Sequence, residues 1–229
     1  KSSDKIPLFC ATFQNRKVIK CKSPEGIRTS MNTKIVSIDF QKDFTAEGGR
    51  CYKPRPSVDF VKNTLVPFLE KRDLKIGEII SDYRQPRPGD RGDCCRPGEW
   101  GYESEIPGTV KDADIWIKCM NSPIWTRDNI GDPNKEPGLP YQDPKKFTEW
   151  IEREIGKPEH TQILLIGLTL DCCVLCTAQE FNFRGYKVKI LKEAVDVYSG
   201  SDEEKEALCK APVENWADVV SWEEVKTTI

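Results

Sequence analysis

Short runs of consecutive apolar residues alternate along this chain with stretches in which apolar residues recur every three or four positions. The runs are typical of strands covered on both faces of a parallel sheet, and the wider spacing is typical of helices with one buried face. Strands are predicted at 35–38, 79–82, 113–117, 163–166, 187–191 and 218–221. The alternation predicts a doubly wound, Rossmann-like, three-layer α/β/α sandwich with a six-stranded, mainly parallel sheet.

Four helices are predicted between these strands. Ser57 and Asp171 are expected to cap two of them, Asp143-Pro144 begins a third, and the fourth spans 201–209. The helix after Asp171 is expected to end at Gly185. Inward-facing positions are predicted at Val58, Val61, Leu65, Phe68 and Leu69, at Phe147, Trp150, Ile151 and Ile155, and at Val174, Thr177, Ala178 and Phe181.

The pattern begins only after the first 31 residues, so we divide the chain into an N-terminal extension, 1–31, and one domain, 32–229. The extension is compatible with a hairpin that sets Cys10 opposite Cys21. Such a pair would form a disulfide or half of a metal site, and two cysteines without function explain it equally well.

A long polar segment rich in glycine and proline, from Tyr83 to Asp112, follows the second predicted strand. Because it exceeds ordinary connection lengths, we expect it to form a wall or lid of a substrate pocket, with an oligomer contact as the alternative. Arg84, Trp100 and Tyr102 are its expected contributions to the pocket.

The composition removes several classes of partner. With 35 basic and 37 acidic residues the formal net charge is −2, which favours neither a nucleic acid nor an anionic membrane. No apolar run approaches the roughly 20 residues of a membrane span. The ten cysteines include two adjacent pairs in a chain of 229 residues, which does not resemble a small disulfide scaffold. We therefore expect reduced thiols in a cytoplasmic protein.

Three residues whose side chains could take part in catalysis stand at predicted strand ends: Asp39, Lys118 and Cys173. Parallel α/β sheets place their ligands at that edge. A carboxylate base, an ammonium and a thiol near a helix N-terminus suit nucleophilic attack on a carbonyl carbon. Taken singly, each has an ordinary structural explanation: a loop cap, a surface lysine and a buried thiol. The one histidine, His160, precedes a strand and is expected at the surface.

The three segments that carry these residues resemble the isochorismatase-like cysteine hydrolases. They read VSIDFQKDF at 36–44, IWIK at 115–118 and GLTLDCCVLCTAQEFNFRGYKVKIL at 167–191, and the resemblance covers roughly 33–222. It implies Asp39 as base, Lys118 as its partner and Cys173 as nucleophile. It also implies backbone N–H groups of Thr169 and Cys173 as oxyanion donors, with a cis peptide bond between Leu168 and Thr169. A homo-oligomer is implied as well.

For the substrate itself, we expect contacts from Gln41, Phe44, Arg84, Trp100, Tyr102 and Trp125. No metal or other cofactor is expected. Family members that act on nicotinamide bind a metal through an aspartate and histidines after the second strand, whereas this sequence reads Asp82-Tyr83-Arg84. Leu170 replaces a threonine that is common in the nucleophile motif. The missing histidine argues against nicotinamide as substrate, whereas the change at Leu170 is expected to alter the pocket rim without touching the triad.

The sequence thus predicts a metal-independent amidase that cleaves a small amide or carbamoyl compound through a thioester at Cys173. Isochorismate-type cleavage of a vinyl ether is the alternative within the family, although it needs no cysteine. A non-enzymatic alternative is a thiol-rich protein that uses Cys10, Cys21, Cys94 and Cys95 for zinc or disulfides. For an amidase, Lys118 and the helix N-terminus are expected to lower the pKa of Cys173 below the usual value of about 8.5.

Overall fold

The computed structural model describes residues 31–229. Within them, eight strands are formed: β1 (Asn32–Ile38), β2 (Ile76–Ser81), β3 (Trp116–Lys118), β4 (Trp125–Thr126), β5 (Tyr141–Gln142), β6 (Thr161–Leu168), β7 (Lys187–Asp196) and β8 (Asp218–Val220). Six of them form one sheet in the order β3-β2-β1-β6-β7-β8, and every pairing in it is parallel. The predicted fold class is confirmed. The short β4 and β5 pair separately as an antiparallel ribbon that the sequence pattern did not predict.

Seven α-helical segments accompany these strands: α1 (Lys42–Thr45), α2 (Pro56–Phe60), α3 (Val66–Glu70), α4 (Pro144–Glu154), α5 (Leu175–Phe183), α6 (Asp202–Lys210) and α7 (Trp222–Val225). A π-helical turn, Val61–Leu65, joins α2 to α3, and a second one, Leu170–Val174, leads into α5. Short 3₁₀ turns lie at Trp100–Tyr102, Gly108–Val110 and Val213–Asn215.

The strand order reverses between β1 and β6, which are neighbours in the middle of the sheet. From β1 the chain proceeds to β2 and β3 on one side, and from β6 to β7 and β8 on the other. Right-handed crossovers in opposite directions place their helices on opposite faces. On one face Phe147 of α4 packs against Phe181 of α5, with ring centroids 6.1 Å apart. On the other, Trp222 of α7 lies 4.8 Å from the ring of Phe68 in α3.

Gly167, near the end of β6, allows the two central strands to approach closely. Its φ is +110°, and a Cβ there would lie 2.1 Å from the carbonyl oxygen of Ile38 in β1. Since both the conformation and the space exclude a side chain, only glycine fits. The contact sets the spacing between the two strands after which Asp39 and Cys173 emerge.

Most inward-facing predictions are confirmed. The predicted helix faces at 147–155 and 174–181 are buried, as are Val58, Val61, Leu65 and Leu69. Phe68 is only partly buried against the core. Ser201 caps α6, Asp143 caps α4 and Gly185 follows α5 with a φ of +86°.

Two predicted caps are wrong. The helix that Ser57 was expected to cap begins at Pro56, with Arg55 as its N-cap residue, and the Ser57 N–H donates to the Asp196 carboxylate at 2.9 Å. Thr169 rather than Asp171 is the N-cap residue before α5. The Asp171 carboxylate accepts the N–H of Tyr198 at 3.0 Å.

The predicted hairpin with Cys10 and Cys21 lies outside the described residues. His160 is exposed in the turn before β6. None of the helices in 31–229 has the length and apolar character needed to cross a membrane.

Candidate active site

Four residues that end or follow strands of the parallel sheet meet at its carboxyl edge. Asp39 follows β1, Ser81 ends β2, Lys118 ends β3 and Cys173 lies in the turn after β6. Asp39 has a φ of +50°, and its N–H donates to the carbonyl of Ile79 at 2.8 Å. The site therefore lies beside the reversal of strand order, where doubly wound sheets bind their ligands.

Asp39 and Lys118 form a fully buried ion pair. The Lys118 Nζ lies 2.7 Å from Oδ2 of Asp39 and 2.7 Å from Oγ of Ser81, and both charged side chains are 0% exposed. Ser81 Oγ in turn donates to Oδ1 of Asp39 at 2.7 Å. Both carboxylate oxygens are thus hydrogen-bonded, which a buried charge requires.

The Cys173 thiol completes the cluster. Its Sγ lies 3.0 Å from the Tyr83 hydroxyl and 3.4 Å from Nζ of Lys118, and it can donate to Oδ1 of Asn121 at 3.7 Å. Both Tyr83 and Lys118 also contact Oδ2 of Asp39. Lys118 donates to the Tyr83 hydroxyl as well, at 2.5 Å. We call Asp39, Ser81, Tyr83, Lys118 and Cys173 the catalytic cluster. The three residues predicted to meet at this edge do meet there.

The expected pKa of Cys173 is wrong in direction. Burial raises the pKa of the Cys173 thiol and the Asp39 carboxylate adds to the rise, while Lys118 and the Tyr83 hydrogen bond oppose it. Only 4% of this residue is exposed, so desolvation of the anion outweighs the nearby ammonium. At neutral pH the resting site therefore holds a thiol, and a base must remove its proton before attack.

Lys118 and Tyr83 keep their protons in the same surroundings. Burial alone would lower the pKa of Lys118, but the Asp39 carboxylate and Cys173 raise it above its ordinary value. Burial, followed by the charge of Asp39, raises the pKa of Tyr83 well above its usual value. The cluster thus contains one ammonium and one phenol that can donate to sulfur.

Sequence reasoning missed Tyr83 and Ser81. Successive side chains in an extended chain alternate between faces, so residues 81 and 83 lie on the same side when a strand continues past its end. That alternation, applied to a strand already known to end near Asp82, would have pointed both side chains toward Asp39. From the triplet 82–84 the sequence prediction draws the absence of a histidine and a substrate contact by Arg84, but nothing about Tyr83.

The turn predicted to hold an oxyanion lies beside the thiol. The peptide bond between Leu168 and Thr169 is cis, as the family resemblance implied. Thr169 is the N-cap residue of the π-helical turn that carries Cys173, and its carbonyl accepts the N–H groups of Cys172 and Val174, both at 3.1 Å. Oxyanion donation by the Thr169 and Cys173 N–H groups stays a prediction.

Two predicted substrate contacts have structural tasks instead. Gln41 is fully buried, and its amide donates to the carbonyls of Ser81 and Tyr102 at 3.0 and 2.9 Å and accepts the N–H of Ser81 at 2.8 Å. Phe44 is buried in the hydrophobic core. Because the side-chain polar atoms of Gln41 are already occupied by backbone, it positions the end of β2 and does not bind substrate.

Arg84 is the third predicted substrate contact that has a structural task instead. Its five N–H groups are all engaged, by the Asp82 carboxylate and by the backbone carbonyls of Asn129, Asp132 and Lys135. The guanidinium therefore fastens the loop after β4 to the end of β2. No donor remains for a substrate.

The remaining predicted contacts stay predictions. Trp100 is 47% exposed, with the Lys42 ammonium 5.5 Å from its ring centroid. Tyr102 is partly buried against the core, and Trp125 is half-buried on β4. A cavity of about 770 Å³ lies beside β3 and α4, but it is not lined by any of Asp39, Lys118 and Cys173.

The fold and the sequence both have known counterparts. An uncharacterized isochorismatase family protein of Bacillus subtilis is 22% identical over 172 residues, covering 72% of this chain and 86% of the relative. The structure of N-carbamoylsarcosine amidase from Thermoplasma acidophilum matches with a TM-score of 0.56 at 19% identity, over 83% of this chain and 96% of that one. Pyrazinamidase of Pyrococcus horikoshii in complex with zinc matches with a TM-score of 0.57 at 17% identity, over 83% and 99%.

The chain has the isochorismatase-like fold. The resemblance drawn from the three sequence segments is thereby confirmed. No protein-family model matches the sequence.

The metal site that this isochorismatase-like fold holds in some members does not fit here. The expected metal ligand is the aspartate after the second strand, Asp82, whose carboxylate is 0% exposed and paired with the Arg84 guanidinium at 2.9 and 2.7 Å. The carboxylate also accepts the N–H of Gly131 at 2.9 Å. A fixed positive charge already neutralises this carboxylate, and the segment Asp82-Tyr83-Arg84 offers no histidine ligand.

Proposed function

We propose that this protein is a cysteine hydrolase that cleaves a C–N bond of a small amide or carbamoyl compound through a thioester at Cys173. The observation that supports it most is in the catalytic cluster, where one thiol contacts an ammonium and a phenol that both bind the same buried carboxylate. The amidase among the similar folds supports the reaction class.

The first step is a proton transfer coupled to attack. Asp39 takes the proton of the Cys173 thiol as the sulfur forms a bond to the carbonyl carbon. The carbonyl π electrons move onto oxygen, which the N–H groups of Thr169 and Cys173 would hold as an oxyanion. Because burial raises the thiol pKa, transfer of the proton to Asp39 is unfavourable on its own, and it becomes feasible when the sulfur–carbon bond forms at the same time.

The second step breaks the C–N bond. The oxyanion electrons re-form the carbonyl, the amine leaves with the electron pair, and it takes the proton from Asp39. Water then attacks the thioester, loses a proton to Asp39, and the sulfur leaves and recovers that proton. The net change is addition of one water across the C–N bond, with the cluster returned to its starting state.

Lys118 and Tyr83 stabilise the charges that move between these steps. When the thiol proton lies on Asp39, the sulfur carries negative charge, which the ammonium at 3.4 Å and the phenol at 3.0 Å can stabilise. Ser81 fixes the other carboxylate oxygen, so that Asp39 presents Oδ2 toward the thiol side of the cluster. These groups need no reorganisation at the moment of reaction.

The two alternative functions are weaker. Cleavage of a vinyl ether needs no nucleophilic thiol, yet the Cys173 thiol contacts Lys118 and Tyr83, the two residues that also bind the Asp39 carboxylate. A purely metal-binding or redox protein would not need a buried ammonium and carboxylate pair beside a thiol. Such a pair is costly to bury, which favours a catalytic role for the cluster.

A panel of substrates tests the proposal. Ammonia release would be measured from N-carbamoylsarcosine, other N-carbamoyl amino acids, small primary amides, pyrazinamide and nicotinamide. We expect turnover of at least one carbamoyl or amide compound, its loss in Cys173→Ala and its retention in the matched control Cys172→Ala. Turnover by Cys173→Ala, or equal loss in Cys173→Ala and Cys172→Ala, would contradict the proposal.

A further inference from the structure

A second group of thiols and a carboxylate lies in the segments that follow β1 and β2. It consists of Asp43 in α1, Cys51 in the turn after α1, and Cys94 and Cys95 in the long segment after β2. We call these four residues the thiol cluster. One ligand atom from each of Asp43, Cys94 and Cys95 lies within 4.8 Å of the others, and all three residues are buried. None of the four belongs to the catalytic cluster.

Cys51 extends this group to four potential ligands. Its thiol lies beside the Cys94 thiol, and its N–H donates to the backbone carbonyl of Asp43 at 2.9 Å. Gly49 permits this close approach, because a Cβ there would lie 2.6 Å from the Asp43 carbonyl oxygen. The turn that carries Cys51 is therefore held firmly against α1.

The surrounding backbone is built around the Asp43 carboxylate. Oδ1 accepts the N–H of Arg50 at 3.0 Å, and Oδ2 accepts the N–H of Cys95 at 2.5 Å. A Cβ on Gly101 would lie 2.2 Å from Oδ1, so a third segment also packs closely on this carboxylate. The carboxylate is thus fixed in place with lone pairs still available.

The negative charge of the Asp43 carboxylate has no ion-pair partner among the described residues. Asp43 is 4% exposed, and it forms no salt bridge within 31–229, in contrast to Asp39. Buried charges in proteins are paired or coordinate metals. Three neighbouring thiols supply the soft ligands that select a cation of the zinc class over magnesium or calcium.

We propose that the thiol cluster binds one divalent, thiophilic cation of the Zn²⁺ class through the thiolates of Cys51, Cys94 and Cys95 and the carboxylate of Asp43. Three S–H bonds break and three S–metal bonds form, with the protons released to solvent and no change of oxidation state. Four protein ligands make a closed, structural site. This differs from the sequence expectation of no metal, and it does not depend on amide hydrolysis at Cys173.

The ion would fasten the long segment after β2 to α1. Cys94 already pairs with Tyr83, whose N–H donates to the Cys94 carbonyl at 3.2 Å. Because Tyr83 contacts Cys173, the ion would steady one side of the catalytic cluster without touching substrate. We therefore expect metal removal to loosen this segment before it affects the sheet.

Cobalt titration of the full chain tests the site. The protein is stripped with a chelator, kept reduced with a phosphine, and titrated with Co²⁺. We expect one tight equivalent with the intense visible bands of a tetrahedral ion and a sulfur-to-cobalt charge-transfer band, both removed by one equivalent of Zn²⁺. If no Co²⁺ binds with a sulfur-to-cobalt charge-transfer band, the proposal is overturned.

Variants locate the ligands. Cys51→Ser and Cys94→Ser should each lose the charge-transfer intensity of one thiolate and bind Co²⁺ more weakly. Cys176→Ser, on α5, and the double variant Cys10→Ser/Cys21→Ser should bind as the parent does. Unchanged binding in both Cys51→Ser and Cys94→Ser, or loss of binding in either control, would place the ion elsewhere and overturn the assignment.

A measurement on the unmodified protein removes any doubt about folding of the variants. Zn²⁺ should raise the melting temperature of the parent protein and should protect Cys51, which is partly exposed, from alkylation as judged by peptide mapping. Zn²⁺ without effect on either the melting temperature or Cys51 labelling would contradict the site. Neither readout uses enzymatic activity, so a failed amidase assay leaves this test intact.

Discussion

The catalytic cluster and the thiol cluster are built from similar parts but differ in how their charge is balanced. Each contains a buried aspartate from the segment after β1, Asp39 or Asp43, and each sets that aspartate beside cysteine sulfur. Asp39 has the Lys118 ammonium at 2.7 Å, whereas Asp43 accepts only backbone N–H groups within the described residues. A fixed internal cation leaves a thiol free to react, and the lack of one leaves a carboxylate and thiols to bind a cation from solution.

The largest expected effect separates the two aspartates. Asp39→Asn removes the base that accepts the Cys173 proton, so kcat should fall by roughly 10²- to 10⁴-fold. Asp43→Asn is the matched change in the thiol cluster, and the folded variant should keep most of its turnover while losing cobalt affinity. Steady-state kinetics and cobalt titration on both variants check this pair of outcomes. Equal loss of activity in the two would mean that the clusters are not distinct.

The next effect is on stability. Lys118→Ala leaves Asp39 as an unpaired buried charge and should lower the free energy of unfolding by about 3–5 kcal/mol. Adding Asp39→Asn to the same chain should restore part of that loss, because the amide needs no counter-charge. Urea denaturation of the single and double variants measures both values. A Lys118→Ala variant as stable as the parent would show that the ion pair is not the buried contact described here.

Removal of one hydroxyl should have a smaller effect. Tyr83→Phe keeps the ring but removes a hydrogen bond to the charged sulfur, worth about 1.5–3 kcal/mol, so kcat should fall roughly 10- to 100-fold. Tyr186→Phe is the control, since it also removes a tyrosine hydroxyl that makes a hydrogen bond, here to the Gly156 carbonyl near the opposite edge of the sheet. If both variants turn over at the parent rate, Tyr83 has no part in stabilising the thiolate.

The smallest effect is the pH dependence of stability in metal-free protein. Burial raises the pKa of both Cys95 and Cys173 in the folded state, so the folded chain retains protons that the unfolded chain releases above about pH 8.5. The stabilisation is complete below that pH and is lost as the pH rises, at up to about 1.4 kcal/mol per pH unit for each thiol.

Chemical denaturation between pH 7 and pH 10 gives that slope. Cys95→Ser and Cys173→Ser should each flatten the decline, by similar amounts, because both clusters keep their thiols protonated. Free energies of unfolding that rise between pH 8.5 and pH 10 would reverse the sign and contradict the pKa directions.

Much of the catalytic cluster could be predicted because its members follow strand ends. Asp39, Lys118 and Cys173 stand at recognisable apolar runs, and parallel strands bring such ends to one edge whatever the details of packing. Tyr83 was missed because it lies one residue beyond a strand whose continuation had to be known first. The direction of the Cys173 pKa was wrong because burial, which outweighs Lys118, cannot be judged from neighbours in the sequence.

Local rules also failed where distant residues compete for the same group. Asp171 has the sequence position of a cap, but its carboxylate binds the N–H of Tyr198. Arg84 is predicted to contact substrate, but its guanidinium binds Asp82 and the loop at 129–135.

The thiol cluster shows the same limit. The sequence shows its adjacent pair of cysteines but gives no sign of which residues lie beside them, and the pair is predicted to act with Cys10 and Cys21. The structure instead sets Cys94 and Cys95 beside Asp43 and Cys51, which come from the segment after the first strand.

Identification of the residue that carries the acyl group tests the central claim most directly. Protein turning over the best substrate of the panel would be quenched in acid within its first turnovers, digested, and mapped by mass spectrometry. We predict an added acyl mass on Cys173, absent from Cys173→Ala and retained in Cys172→Ala. An acyl group on Cys172, or undiminished hydrolysis by Cys173→Ala, would contradict the account.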